Sequence, residues 1–97
     1  MIFETDKFKF DSNQTVKIEF TNGFTILVKC YNTDCSIDSG MYDEYKNRQH
    51  VNIDDAEQTV VNLIKKNVDL KHDRLITFAR SKTSKSQYKS IMEKFIE

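Results

Sequence analysis

Four side chains in this sequence have the chemistry of soft-metal ligands: Cys30, Cys35, His50 and His72. Zinc takes four tetrahedral ligands drawn from thiolate, imidazole and carboxylate, and structural sites often take two cysteines two to four residues apart from one turn. The segment CYNTDC has four residues between its cysteines, and its NTD is turn chemistry. His50 lies 14 residues beyond Cys35 and supplies a second arm. The fourth ligand is open between His72, Asp34 and Asp38. With four protein ligands the coordination sphere is closed, so the expected role of the zinc is structural.

Other states compete for the same cysteines. Cys30 falls in step with an apolar alternation, where a free cysteine behaves as a small hydrophobe. A short loop closed by a Cys30–Cys35 disulfide is sterically allowed, although a reducing compartment favours thiols or ligands.

Catalytic patterns are missing. The chain has no GxGxxG, P-loop, HExxH or GxSxG, and its two glycines leave little backbone for cradling phosphate. A Cys35 nucleophile with His50 or His72 as base rests on residue types alone. Asp54 and Asp55 are neighbours at a helix start, where adjacent side chains do not face each other, and capping accounts for both. The expectation is a non-enzymatic protein.

The elements that would position these residues read as follows. Residues 2–10 carry a broken alternation ending in Phe8 and Phe10, a first strand. QTVKIEF puts Val16, Ile18 and Phe20 on one side; FTILVKCY does the same with Phe24, Ile26, Val28 and Cys30. A two-residue Asn22-Gly23 turn would mix the faces. A three-residue Thr21-Asn22-Gly23 loop opposes Phe20 to Phe24 and Ile18 to Ile26, and needs Gly23 in a left-handed conformation.

Residues 32–52 then lose periodicity, which predicts a long loop with at most a helical turn or edge strand around MYDEY. A helix follows, with Asp54 as N-cap, Glu57 completing a capping box, Ala56, Val60, Leu63 and Ile64 on one face, and Lys65 and Lys66 at its end. Leu75, Ile76 and Phe78 form a central or half-buried strand. A second helix is predicted from Ser84 and Gln87, with Tyr88, Ile91, Met92 and Phe95 at helical spacing. The order β-β-β-loop-α-β-α predicts a single α+β domain over residues 1–97, two helices packed on one face of a mainly antiparallel sheet.

At 97 residues with 38% hydrophobic and 31% charged side chains, the chain can bury one core and solvate its exterior without staples. No apolar run approaches a membrane span, and MIFETDKFKF lacks the pattern of a secretory signal, so a soluble cytoplasmic protein is expected. Net charge is zero, yet residues 1–60 carry −5 and residues 61–97 carry +5. That asymmetry either places a basic patch on one surface or interleaves and cancels in the fold. A small nucleic-acid-binding regulator would use Arg74, Arg80, Lys82, Lys85 and Lys89, with Phe78 and Tyr88 as stacking groups. Against it, both aromatics fall at core-facing positions and the pI of about 6.7 is far from a basic footprint.

The 32–52 segment also carries Met41, Tyr42 and Tyr45 among the acids Asp38, Asp43 and Glu44. Tyrosine and methionine are favoured in protein interfaces, and they also serve to cover a sheet edge. Both roles are open on the sequence.

A short, proline-free, Lys- and Asn-rich α+β chain without catalytic motifs resembles the small phage-encoded proteins that inhibit bacterial defence systems, among them the anti-CRISPR proteins, which bind a Cas nuclease complex. The resemblance lies in size and composition over the whole chain and carries no motif. It implies stoichiometric inhibition by contact with a protein partner, with Asp34, Asp38, Asp43 and Glu44 meeting a basic nucleic-acid-handling surface and hastening encounter. The neutral total argues against a full DNA mimic.

Overall fold

A computed structural model describes residues 9–42 and 44–82. In chain order the elements are β1 (Gln14–Phe20), β2 (Phe24–Tyr31), β3 (Asp34–Met41), β4 (Glu44–Asn52), α1 (Ile53–Asn67) and β5 (Leu75–Lys82). The strands form one five-stranded sheet in the order β4-β3-β2-β1-β5, with antiparallel pairing throughout. This is an α+β fold with one helix among the described residues. The helix expected from Ser84 onward, and all but the last two residues of the strand expected over 2–10, lie outside them. Phe10 is buried but belongs to no strand.

The β1–β2 hairpin follows from its alternation. Ile18 pairs with Ile26 and Val16 with Val28, the register of a three-residue loop. Gly23 takes φ +93°, and its N–H donates to the Phe20 carbonyl at 3.0 Å. Asn22 Oδ1 accepts from the Phe24 N–H at 3.0 Å, which closes the turn locally. The inward residues of β1 and β2, with Cys35 and Ile37 of β3, are at most 3% exposed. Burying each of the larger ones contributes about 1.5–3 kcal/mol.

Residues 32–52 are not a loop. They turn at Asn32 (φ 58°), run out as β3, turn again at Tyr42 and return as β4. Every residue of β3 pairs with β2, from Tyr31 opposite Asp34 to Phe24 opposite Met41. The apolar period is hidden because only Cys35 and Ile37 mark the inward face, and the next inward position is Ser39, 1% exposed. In β4 only Tyr45 and Val51 are even half-buried, so that strand is held by its hydrogen-bond ladder to β3 and not by its own burial.

Helix α1 starts earlier than its acids suggest. Asn52, not Asp54, is the N-cap: its side chain accepts from the Asp54 N–H at 3.0 Å, and Asp54 and Asp55 fall in the first turn, where they face the positive end of the helix. The Ile53 N–H donates to the Thr33 carbonyl at 2.8 Å, so the β2–β3 turn and the helix start hold each other. Ala56, Val60, Val61 and Ile64 bury one stripe against the sheet, and Lys65 and Lys66 occupy the last turn. The chain then crosses to the far edge, where β5 pairs with β1. A bulge between Glu19 and Phe20 sets Phe78 opposite Ile18 and Leu75 opposite Phe20, leaving Ile76 58% exposed. β5 is thus an edge strand of the described sheet, half-buried through Leu75 and Phe78, the second of the two expected states and not the central one.

Candidate functional site

The structure brings Cys30 and Cys35 together and leaves the histidines apart. The cysteines are directly opposite on β2 and β3, with Cα atoms 4.2 Å apart, and are joined in a disulfide. Both are buried against the core, at 0% and 1% exposure. His50 pairs with Ser36, one step from Cys35, so the alternation of the sheet puts it on the opposite face. His72 precedes β5 beside Thr21, whose N–H donates to the Arg74 carbonyl, while the cysteines lie at the other end of β2. Six residues of extended strand separate Cys30 from Phe24, about 20 Å. Among the described residues no three of the ligating side chains cluster, so the Cys30, Cys35, His50, His72 set does not fit one zinc ion, and Asp34 and Asp38 do not complete it.

The acids are also dispersed. Asp34 is at the start of β3 and Met41 at its end, about 23 Å apart along the strand. Asp38, only 5% exposed, is held by Arg48 through Nε at 2.7 Å and Nη2 at 3.2 Å. That hydrogen bond and the carboxylate charge raise the Arg48 pKa further above its already high ordinary value. Asp38 lies on the sheet face away from α1, in an ion pair with Arg48. Glu44 stays exposed beside Lys46 at 4.0 Å. Asp43 lies outside the described residues.

His72 does have a partner, though a local one. Its Nδ1 is 2.6 Å from Asp69 Oδ2, and Asp69 Oδ1 accepts from the Lys71 N–H. Bonding to Asp69 raises the imidazole pKa, and the same contact, helped by Lys71, lowers that of Asp69.

Of the basic residues, Arg80 is committed to the fold. Its guanidinium stacks over Phe78 at 4.8 Å and Phe10 at 5.9 Å and donates to the Lys9 carbonyl and Gln14 Oε1. Phe78 is half-buried against the core, so neither of this pair is a stacking platform for bases. Tyr88, Lys85 and Lys89 lie outside the described residues.

The two tyrosines of the β3–β4 segment separate into different roles. Tyr45 pairs with Gly40 and is half-buried. A Cβ on Gly40 would fall onto the Glu44 carbonyl, so the bulge there requires glycine. Tyr42 is 76% exposed, yet it is held at both ends: its N–H donates to the Gly23 carbonyl at 2.7 Å, and its ring covers the Gly23 α-carbon. Its φ of 52° is a conformation few bulky side chains adopt. Beside it Met41 is 44% exposed. The result is an exposed tyrosine held through its backbone and its ring, with exposed Met41 beside it, and a side chain already held loses less entropy when a partner covers it.

Compared with known proteins, the chain matches no family model, no curated protein and no solved structure. No helix among the described residues is long and apolar enough to cross a membrane.

Proposed function

We propose that the chain is a non-enzymatic protein-binding inhibitor that acts by stoichiometric contact, with Met41 and Tyr42 at the centre of the contact and a bacterial defence nuclease of the Cas type as its partner. The observation that carries the binding part is the geometry of Tyr42. An exposed tyrosine fixed by a backbone hydrogen bond and by packing on a glycine matches the rigid aromatic anchor around which interface energy concentrates. The choice of a nuclease rests on the resemblance in size and composition. The zero net charge supports contact with a protein domain over mimicry of DNA.

Titration of the protein into a cleavage reaction of purified Cas nuclease, guide and target tests the reading. Cleavage should fall to an end point at an equimolar ratio, and Tyr42→Ala should restore it. Undiminished cleavage at excess protein across several Cas nucleases removes the nuclease as partner. Equal inhibition by Tyr42→Ala removes the site.

A further inference from the structure

The described sheet ends at β4, nine residues without proline or glycine, whose alternate N–H and C=O groups point away from β3. The irregularity in its pairing falls between Ser39 and Gly40, at the Tyr45 end, so the ladder is regular from Asn47 to Asn52. On the helix side of the sheet, β4 and α1 leave a groove of about 290 Å³ lined by Gln49, Thr59, Asn62, Leu63 and Lys66. Gln49 pairs with Ile37 and therefore shares that face, and it is exposed. Its neighbours across the groove place it level with the middle turns of α1.

We propose that β4 and α1 form a two-fold interface with a second copy of the chain, centred on Gln49, which joins the two sheets edge to edge with both helices on the same face. Two features select this occupant, and they share one axis. The first is the strand register. Antiparallel strands related by a two-fold axis normal to the sheet set one residue opposite its own copy. Centring on Lys46, Asn47 or Arg48 opposes Lys46 to Lys46, Lys46 to Arg48, or Arg48 to Arg48, and like charges directly opposite are unfavourable. Centring on Gln49 pairs residues 46–52 of both strands, with Lys46 opposite Asn52, Asn47 opposite Val51, Arg48 opposite His50 and Gln49 opposite itself. With histidine neutral at pH 7, no like charges meet, and the inner pairs fall in the regular part of the ladder. Every remaining centre pairs five residues or fewer of each β4. The second feature is the helix. The same axis runs the two copies of α1 antiparallel across the groove, so the acidic first turn of one, Asp54 and Asp55, lies toward the last turn of the other, with Lys65 and Lys66. The opposed helix dipoles act in the same direction. Thr59 and Leu63 of both copies then cover the Gln49 pair. Met41 and Tyr42 precede β4 and lie outside the paired residues, so self-association is expected whether or not the nuclease assay shows inhibition.

Sedimentation equilibrium of the full chain, from about 10 μM to about 1 mM, tests the interface. The mass should rise with concentration from 11.4 kDa toward twice that value. On dilution, amide shift changes in NMR spectra should be confined to β4 and α1. Because the Gln49-centred register sets residue 49 against its own copy, Gln49→Lys and Gln49→Glu should each weaken association at least about fivefold, with circular dichroism unchanged. An equimolar mixture of the two variants should restore association as a heterodimer, since opposite charges then meet at the axis. Tyr42→Ala should leave association intact. A chain that stays at 11.4 kDa at about 1 mM overturns the proposal and leaves the β4 edge to a strand of another protein. It is equally overturned by a Gln49→Lys variant that associates as well as the parent, by a mixture of the two variants that stays monomeric, or by shift changes centred on other elements.

Discussion

The N–H of Tyr42 donates to the carbonyl of Gly23 at 2.7 Å, and an atom placed at the Cβ position of Gly23 would lie 2.6 Å from the Tyr42 ring. The β1–β2 and β3–β4 turns are thereby locked at one end of the sheet. Gly23→Ala must adopt φ near +93° and also displace the ring. We expect a loss of about 1–2 kcal/mol from the backbone alone, read in urea denaturation, together with weaker partner binding. Tyr42→Gly is the complementary change: it relieves the left-handed strain, so stability should stay within about 1 kcal/mol of the parent while inhibition is lost. Unfolding of Tyr42→Gly at ordinary temperature would mean that Tyr42 serves the fold and not an interface.

Asp38 and Arg48 should behave as a coupled pair. Arg48→Ala leaves a nearly buried carboxylate without its bidentate partner, at a cost of about 1–3 kcal/mol. In a double-mutant cycle, Asp38→Ala with Arg48→Ala should cost less than the two single changes added together. Strict additivity would show that the contact contributes nothing to stability.

The disulfide should protect both cysteines from alkylation in the native protein and yield two modified residues after reduction. With a sequence separation of only five it constrains the unfolded chain modestly, on the order of 2 kcal/mol. A larger fall in denaturation midpoint on reduction would mean that the thiols also disturb the packing of β2, β3 and α1.

The His72–Asp69 pair gives a pH signature. A raised imidazole pKa contributes fully below its ordinary value near 6.5 and is lost as pH rises through the raised value. The depressed Asp69 contribution is present above its ordinary value near 3.8 and is lost as pH falls through the lowered one. The pair is fully charged only between the two shifted values. In an NMR titration, Asp69→Asn should move the His72 midpoint downward; coincident midpoints would show that the contact does not form in solution.

Much of the fold was legible from local pattern. The VxIxF and FxIxVxC alternations set the inward faces of β1 and β2, and the loop count around Gly23 set their register, because a slip by one residue would turn every apolar side chain to water. The stripe of Ala56, Val60 and Ile64 marked α1 for the same reason. What tertiary structure decided lies in residues 32–52. β3 and β4 carry too few apolar residues to signal themselves, and they become strands because β2, one short turn away, supplies a ladder edge for β3 and β3 supplies the next for β4. That pairing sets Cys30 opposite Cys35 and Asp38 opposite Arg48, and it divides the roles of Tyr42 and Tyr45. It also turns His50 to the face away from the cysteines, since side chains on a strand alternate and spacing along the sequence does not carry that parity across an unrecognised turn.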